Sequence, residues 1–319
     1  MMVQLLRVLL VGLVALVMAC GDDANPTPQS TEVPASPTEE AVPALRVATV
    51  NLLHGFFSDV DADTLTERLG LVAEALRQEE IDIVGLQEAS ISSYGGNTAE
   101  ELARQLGFEF VYKRSNPNIL DGDNEALIEA LDFEEGSAIV SRFPIADSES
   151  IDLARPSDVE IRIGLRATVT TPWGEIDVYV THLTGGDETG INTTQAQELA
   201  DWITARPRDV PAVLMGDFNA LEGSATIDLL TERFVDVYRA VDAEGPGYTC
   251  CQDAVTDPEP EQNRKRIDYL FLAPGQAFAG EVVEARVFLD AAFPLPDGSD
   301  LWASDHFGLL AVVRFFSSP

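Results

Sequence analysis

The sequence predicts an α/β fold in which two mixed β-sheets pack face to face and helices cover their outer sides. About ten short apolar runs of strand character follow residue 45. Helical patterns separate several of these runs, and a turn sequence joins two of the later ones directly. Because so many strands exceed one ordinary twisted sheet, two packed sheets are expected.

Each strand-like run is rich in aliphatic and aromatic residues and is bounded by polar or turn-forming residues. Such runs are typical of strands that have at least one buried face. In chain order they cover residues 45–53, 81–89, 108–114, 136–142, 161–171, 175–183, 211–219, 266–272, 282–289 and 306–316.

Three segments have helical periodicity. The first repeats apolar residues on one face within 65–76, and Asp63 precedes it as a suitable N-cap. Two further helices are expected at 99–106 and 193–203. The turn at 171–174 predicts a hairpin of antiparallel strands, whereas the early strands alternate with helices, so the sheets should be mixed.

The chain is strongly acidic, since 20 Lys+Arg against 54 Asp+Glu give a formal net charge of −34. Such a surface repels polyanions and excludes a protein that binds nucleic acid through a broad basic face. The one compact basic spot is 264–266. No apolar run beyond the N-terminus reaches the length of a membrane span, so a bundle of membrane helices is also excluded.

Residues 1–19 have the pattern of a bacterial export signal. A short apolar stretch follows Arg7, and Ala19 precedes Cys20. The run 17–20 resembles a lipobox, in which the cysteine is lipidated; an ordinary cleaved signal with a chance cysteine is the alternative. We therefore expect an exported lipoprotein, anchored through Cys20 to a bacterial membrane and facing the periplasm or the exterior.

Residues 20–44 are rich in proline and lack aromatic residues. This composition cannot bury a core and predicts a disordered tether. Residues 45–319 contain no second linker and are expected to form one domain, present as a monomer. Within it, the adjacent Cys250 and Cys251 would form a vicinal disulfide or remain thiols, and no catalytic role is expected for them.

Polar side chains occur at the ends of many of the apolar runs. A carboxylate at the end of a buried strand needs a metal, a partner or solvent, so a series of them predicts that the strand ends converge on one pocket. Two of the three histidines of the chain are among these positions, and the remaining one, His54, lies three residues after Asn51. The strand-end residues are Asn51, Gln87, Glu88, Thr181, His182, Asp217, Asn219, Asp268, Ser304, Asp305 and His306.

These residue types indicate metal-assisted hydrolysis. Oxygen ligands with few histidines favour Mg²⁺, Mn²⁺ or Ca²⁺ over zinc. Histidines and carboxylates without a nucleophilic serine or cysteine fit phosphoester hydrolysis, because a metal neutralises phosphoryl oxygens while a base takes a proton from water. The G-x-S-x-G, P-loop, G-x-G-x-x-G, H-E-x-x-H and C-x-x-C motifs of other chemistries are absent from the sequence.

Seven short motifs occur along residues 45–316. They are VNLLHG at 50–55, LQEA at 86–89, EGSAIVSRFPI at 135–145, THL at 181–183, GDFNA at 216–220, RIDYLF at 266–271 and SDHFGLL at 304–310. In this order they resemble the endonuclease/exonuclease/phosphatase superfamily, which includes deoxyribonucleases, abasic-site endonucleases, inositol polyphosphate 5-phosphatases and bacterial sphingomyelinases. GDFN and SDH with RID between them are the most specific part.

The resemblance implies a four-layer α/β sandwich with the site at one rim of the two sheets. It implies a metal bound by Asn51, Glu88 and Asp305, with Glu88 the principal ligand. Arg166 precedes the THL motif at a spacing compatible with a phosphate-binding arginine, and an exposed strand arginine is the alternative. His54 has no counterpart carried over from the family, and we expect it to line the substrate site.

The resemblance also implies the catalytic residues. Asp217 and Asn219 are expected to orient the attacking water or to contact the phosphate. His306 should lie beside the scissile phosphate with Asp268 as its carboxylate partner. His182 should be a second histidine that contacts the phosphate.

The sequence thus predicts a divalent-metal-dependent hydrolase of phosphoester bonds, with Mg²⁺ (or Mn²⁺ or Ca²⁺) as cofactor. The acidic charge favours a lipid or small phosphorylated substrate. The alternative is an extracellular endo- or exonuclease that degrades DNA or RNA, since bound divalent ions offset the local field. A non-catalytic lipoprotein that binds a phosphorylated ligand is a third hypothesis, against which the complete set of carboxylates and histidines argues.

Overall fold

A computed structural model describes residues 44–55, 59–115, 132–155, 161–185, 190–206, 210–257, 264–273 and 278–317. The predicted signal peptide, Cys20 and the tether as far as residue 43 lie outside these residues. Residues 42–319 form one compact unit. Within the described part, no helix has both the length and the apolar character needed to cross a membrane.

The described residues form fifteen strands and five helices. The strands are β1 (Ala44–Asn51), β2 (Ile83–Ser92), β3 (Gly96–Asn97), β4 (Glu109–Arg114), β5 (Glu134–Ser141), β6 (Ile145–Asp152), β7 (Ile163–Thr171), β8 (Gly174–His182), β9 (Ala212–Asp217), β10 (Val235–Asp236), β11 (Asp268–Ala273), β12 (Phe278–Phe288), β13 (Phe293–Pro294), β14 (Asp300–Leu301) and β15 (Gly308–Ser317). The helices are α1 (Asp59–Gln78), α2 (Thr98–Leu106), α3 (Ile191–Ala205), α4 (Ala225–Thr231) and α5 (Val237–Val241).

Two large sheets contain most of the strands. The first has the order β12-β15-β1-β2-β5-β4, with β3 paired to β2, and the second has the order β10-β11-β9-β8-β7-β6. In each sheet one pair is parallel, β1 with β2 and β8 with β9, and a long helix connects the members of each pair. The other pairs are antiparallel, so both sheets are mixed, as predicted.

Three apolar layers hold the molecule together. One lies between the sheets and includes Val47 and Leu309 from the first and Val178 and Leu270 from the second. A second layer packs α1 and α2 on the first sheet, and a third packs α3 and α4 on the second. Because each helix presents one apolar face to a sheet, the result is the predicted four-layer α/β sandwich.

The ends of the helices follow from local chemistry. At the start of α2 the Asn97 side chain accepts a hydrogen bond from the Glu100 N–H, and at its end Gly107 adopts φ 73°, which glycine tolerates without strain. Helix α1 begins at Asp59, so Asp63, which we predicted as its N-cap, lies inside the helix. The hairpin predicted at 171–174 joins β7 to β8.

Candidate active site

Both parallel strand pairs end at the same rim of the sandwich. Asn51 at the end of β1 lies in register with Gln87 of β2, and His182 at the end of β8 lies in register with Asp217 of β9. The Asn51 Nδ2 atom donates to Glu88 Oε1 at 3.1 Å and to Asp217 Oδ2 at 3.2 Å. This amide therefore joins a carboxylate of one sheet to a carboxylate of the other.

The backbone directs Glu88 into the rim. The pairing of β2 with β5 shifts between Leu86 and Ala89, and Glu88 itself has φ 52°. A bulge of this kind re-aims a side chain at the end of a ladder. The Glu88 carboxylate also accepts a hydrogen bond from the His54 N–H at 3.3 Å, and the side chain is 15% exposed, which leaves it accessible to a ligand.

His306 and Asp268 form a buried pair across the rim. The Nδ1 atom of His306 lies 3.0 Å from Oδ2 of Asp268. The Thr249 hydroxyl accepts a hydrogen bond from the Asp268 N–H at 3.0 Å, which fixes the start of β11. Burial by itself would lower the pKa of His306, but the nearby Asp268, Asp305 and Asp217 carboxylates raise it well above the ordinary value.

His182 has the opposite electrostatic environment. Burial, and after it the charge of Arg162, holds the pKa of His182 well below the ordinary value. The neutral ring accepts at Nε2 from Asn219 Nδ2, 3.1 Å away, and Nε2 lies 3.5 Å from Asp217 Oδ2. On the other side, Nδ1 lies 3.8 Å from Oε1 of the buried Glu135. The surroundings thus favour the protonated form of His306 and the neutral form of His182.

The pKa values of two rim carboxylates, Asp217 and Glu88, are shifted in opposite directions. Burial, followed by the neighbouring Asp268 charge, raises the pKa of Asp217 to about 7. For Glu88, burial acts upward, but electrostatic interaction with His54 and His306 and the Asn51 hydrogen bond lower the pKa to about 2. Glu88 is therefore ionised at any physiological pH, whereas Asp217 titrates near neutrality.

The oxygen-rich rim fits a hard divalent cation. Burial, and to a smaller extent the charge of Glu88, raises the pKa of Asp305, so the two carboxylates repel each other. A divalent cation bound by both would relieve this repulsion. Asp217, Asp268 and His306 form a further group whose ligand atoms lie within 4.8 Å of one another. The Asn51 amide oxygen, which we expected to bind the metal, accepts a hydrogen bond from the Leu53 N–H at 3.1 Å.

The His54 ring is buried among side chains of the site. His54 is 1% exposed; its Nε2 atom lies 3.6 Å from Glu88 Oε2 and 3.8 Å from Glu135 Oε2, and its ring packs edge-on against Phe133. The ring therefore contacts two carboxylates of the site and is as buried as Asp217. That His54 lines the substrate site stays a prediction.

The structure corrects the expectation that Arg166 binds phosphate. It is 3% exposed in β7, where its guanidinium donates to Asp177 at 2.9 Å and to Asp147 at 2.5 Å and also contacts Glu149. These carboxylates neutralise it, so Arg166 stabilises the second sheet and is not a phosphate ligand. Arg162, four residues earlier, is an arginine whose charge does act on a rim residue, His182.

The sequence analysis did not predict two further residues of the site, Glu135 and Arg68. Glu135 begins the EGSAIVSR motif, which could have indicated it. Arg68 of α1 is 1% exposed and donates to the Leu52 and Leu53 carbonyls at 2.7 and 2.9 Å, so it holds the loop that follows Asn51. Its position within an amphipathic helix gave no signal.

The profile of the Endonuclease/Exonuclease/phosphatase family matches residues 48–306. The chain belongs to this family. The match includes Asn51, Glu88, His182, Asp217 and Asp268, and it ends at His306. No curated protein matches the chain by sequence.

Solved structures of the family show the same fold. A family protein from Bacteroides thetaiotaomicron has a TM-score of 0.65 and 21% identity over 87% of this chain and 99% of its own. A mannosyl-6-phosphatase from the same species has a TM-score of 0.63 and 20% identity over 85% and 99%. TDP2 from D. rerio, in a structure complexed with a single-strand DNA product, has a TM-score of 0.63 and 18% identity over 85% of this chain and 99% of its own. The family consists largely of hydrolytic phosphoesterases.

Proposed function

We propose that this protein is a divalent-metal-dependent hydrolase that cleaves phosphoester bonds in a lipid or small phosphorylated substrate. The observation that carries the proposal is that the Asp217 carboxylate lies within 3.8 Å of two histidine rings in opposite electrostatic environments. His306 lies 3.0 Å from Asp268, whose charge raises the pKa of the ring, whereas burial lowers the pKa of His182. Acid and base are thus present together at one place, as general acid–base hydrolysis requires.

Glu88 and Asp305 are the residues that would hold the metal. A divalent ion bound there supplies positive charge that offsets the negative charge of a phosphoryl group. Mg²⁺, Mn²⁺ and Ca²⁺ share the preference for oxygen ligands that this pair offers. Asn51 keeps the Glu88 carboxylate oriented through its 3.1 Å hydrogen bond.

Three side chains of the rim have roles in the hydrolysis itself. The protonated His306 ring donates a hydrogen bond to the phosphoryl group and stabilises its developing charge. Asp217, with its pKa of about 7, accepts a proton from the attacking water. Asn219 is fixed by the 3.0 Å hydrogen bond from its Nδ2 to the Leu183 carbonyl, so it is oriented before the substrate arrives.

The charge distribution supports a small substrate. The basic spot at 264–266 is weaker than the sequence indicated, because Arg266 is 4% exposed and its Nη2 donates to both Asp236 carboxylate oxygens at 2.6 and 2.7 Å. A net charge of −34 opposes a polyanionic substrate at low salt. The alternative is a nuclease, since TDP2 is a neighbour whose structure holds a DNA product.

Location outside the cytoplasm completes the proposal. The export pattern of residues 1–19, Cys20 and the proline-rich tether support a hydrolase that is attached to a bacterial membrane by lipid and faces the periplasm or the exterior. Its substrate would then be a phosphoester available on that side of the membrane.

An activity screen tests the proposed function. The purified full-length chain is incubated with nitrophenyl phosphoesters, sugar phosphates, sphingomyelin, phosphoinositides, single- and double-stranded DNA and RNA, each with Mg²⁺, Mn²⁺ or Ca²⁺. We expect turnover of a lipid or small phosphoester, loss of turnover in chelator and recovery on adding metal. Turnover of nucleic acid alone would favour the nuclease, and full activity in chelator would contradict metal dependence.

A further inference from the structure

A second group of metal-binding atoms lies beside the rim. Cys250, Cys251 and His306 each offer one ligand atom, and these atoms lie within 4.8 Å of one another. Cys250 is fully buried, whereas Cys251 is partly exposed and gives access from solvent. The two cysteines are joined as a vicinal disulfide.

The backbone holds the cysteines against His306. Cys250 forms isolated β-bridges with both Lys265 and His306. The Phe307 N–H donates to the Thr249 carbonyl at 2.6 Å, and the Gln252 N–H donates to the Asp305 carbonyl at 2.8 Å. Hydrogen bonds thus anchor the backbone on both sides of the pair next to His306, and these bonds do not depend on the disulfide.

We propose that reduction of Cys250–Cys251 creates a second cation site, which binds a thiophilic divalent ion such as Zn²⁺ through both sulfurs and His306 and thereby withdraws His306 from catalysis. Two thiolates and an imidazole are the ligand class that zinc prefers, unlike the oxygen ligands Glu88 and Asp305. Zinc–ligand bonds of about 2.0–2.3 Å in a tetrahedron separate the ligands by roughly 3.3–3.8 Å, which the cluster accommodates.

The proposed site forms in two steps, reduction of the disulfide and binding of zinc. A dithiol reductant transfers two electrons and two protons, the bond between the cysteine sulfurs breaks, and the reductant becomes a disulfide. Zn²⁺ then displaces the two thiol protons to the buffer and takes the lone pair of one His306 ring nitrogen. A coordinated ring can no longer donate a proton or a hydrogen bond through that nitrogen. The predicted loss of activity rests on the proposed function; the binding of the ion does not.

The binding arm uses the full-length chain with Cys20→Ser, so that the only cysteines are Cys250 and Cys251. Cd²⁺ is titrated in excess Mg²⁺, and the sulfur-to-metal absorbance band is recorded. We expect one equivalent to bind to the reduced protein, with no band in the oxidised protein. Cys251→Ser should abolish the thiolate pair, and His306→Asn should weaken binding at least about 10-fold, since loss of even an outer partner costs that much.

The activity arm uses the same protein with Zn²⁺ in place of Cd²⁺ and any substrate that the screen identifies. Zinc should inhibit the reduced protein at concentrations at least about 10-fold lower than the oxidised protein or Cys251→Ser, each compared with its own rate in Mg²⁺. Equal Cd²⁺ binding by oxidised and reduced protein would overturn the site. A band that is unchanged in His306→Asn would overturn the role of His306. Because the band needs no substrate, failure of the proposed function leaves this test intact.

Discussion

At the rim, each ionisable side chain has a protonation state set by its immediate neighbours. His306 lies 3.0 Å from the Asp268 carboxylate, whose charge raises the pKa of the ring, whereas burial and Arg162 lower the pKa of His182. Burial and Asp268 raise the pKa of Asp217 to about 7, and His54 and His306 lower that of Glu88 to about 2. Environments that separate the pKa values of neighbouring groups are how one site supplies both an acid and a base.

Glu88→Gln tests the metal ligand. The amide keeps the shape of the carboxylate but removes its charge, so metal affinity and turnover should both fall, turnover by about 100-fold or more. Metal affinity is measured by calorimetry and turnover under saturating metal. Glu74→Gln, on an exposed glutamate of α1 that pairs with Arg77, is the matched control and should change neither. Normal metal affinity in Glu88→Gln would contradict the assignment.

The pH profile tests the two rim acids together. Activity should rise as pH increases through about 7, because Asp217 must lose its proton to act as base. It should fall again at higher pH, where His306 loses the proton that its carboxylate neighbours hold. Asp268→Asn removes a charge that raises both pKa values, so both limbs of kcat/KM should move to lower pH. If the acidic limb of the profile kept its position, Asp217 would not be the base; if the basic limb kept its position, His306 would not be the acid.

His306→Ala and Asp268→Asn should behave as changes within one unit. Each should reduce turnover by about 100-fold or more, because the carboxylate orients the ring and stabilises its protonated form. The double variant should lose much less than the sum of the two free energies, since residues that act together are not additive. Circular dichroism checks that each variant is folded. Strict additivity would show that the two residues act independently.

At the scale of elements, the β8–β9 pair places half of the rim. Gly216 in β9 has φ 154°, and a Cβ atom added to it would lie 2.1 Å from the Thr181 carbonyl oxygen. That carbonyl belongs to β8, next to His182. A side chain at 216 would therefore separate the two strands at the point where they present His182 and Asp217.

Gly216→Ala should lower the free energy of unfolding by about 1–3 kcal/mol or more, because the clash is with backbone and cannot be relieved by a rotamer change. It should also reduce activity, since His182 and Asp217 move apart. Gly70→Ala is the control: it lies in α1 with open space around it, and alanine there should stabilise by about 0.5–1 kcal/mol. Urea denaturation measures both, and a fully stable Gly216→Ala would refute the argument.

At the scale of the whole molecule, the acidic charge affects which substrates can approach the rim, and a lipid anchor at Cys20 would do so as well. The charge of −34 disfavours large polyanions at low ionic strength, and this repulsion is screened as salt increases. A lipid on Cys20 would restrict the enzyme to one membrane surface and, through the tether, let the rim reach substrates some tens of ångströms away.

Cys20→Ala tests the anchor in the producing bacterium. The wild-type chain should be labelled by a fatty-acid analogue and sediment with membranes, whereas the variant should lose the label and be released or remain unprocessed. Cys251→Ala, which leaves the lipobox intact, should keep the label. Label that persists in Cys20→Ala would refute lipidation at this cysteine.

Local patterns in the sequence determined most of the framework. Strand and helix periodicity, and polar residues at the ends of apolar runs, depend on neighbouring positions, so the ten predicted strands and the convergence of Asn51, Glu88, Asp217, Asp268 and His306 could be predicted. Strand β6 could not, because it lies at the edge of its sheet and its largely exposed sequence IADSESID lacks an apolar face.

Tertiary structure decided whatever depends on contacts between distant segments. The sequence allowed Arg166 to be a phosphate ligand or an exposed strand arginine, but the pairing of β7 with β6 and β8 buries it among carboxylates. Packing likewise placed His54 beside Glu88 and brought the cysteine pair to His306. Burial and charge at a side chain are sums over neighbours remote in sequence, so no local pattern carries them.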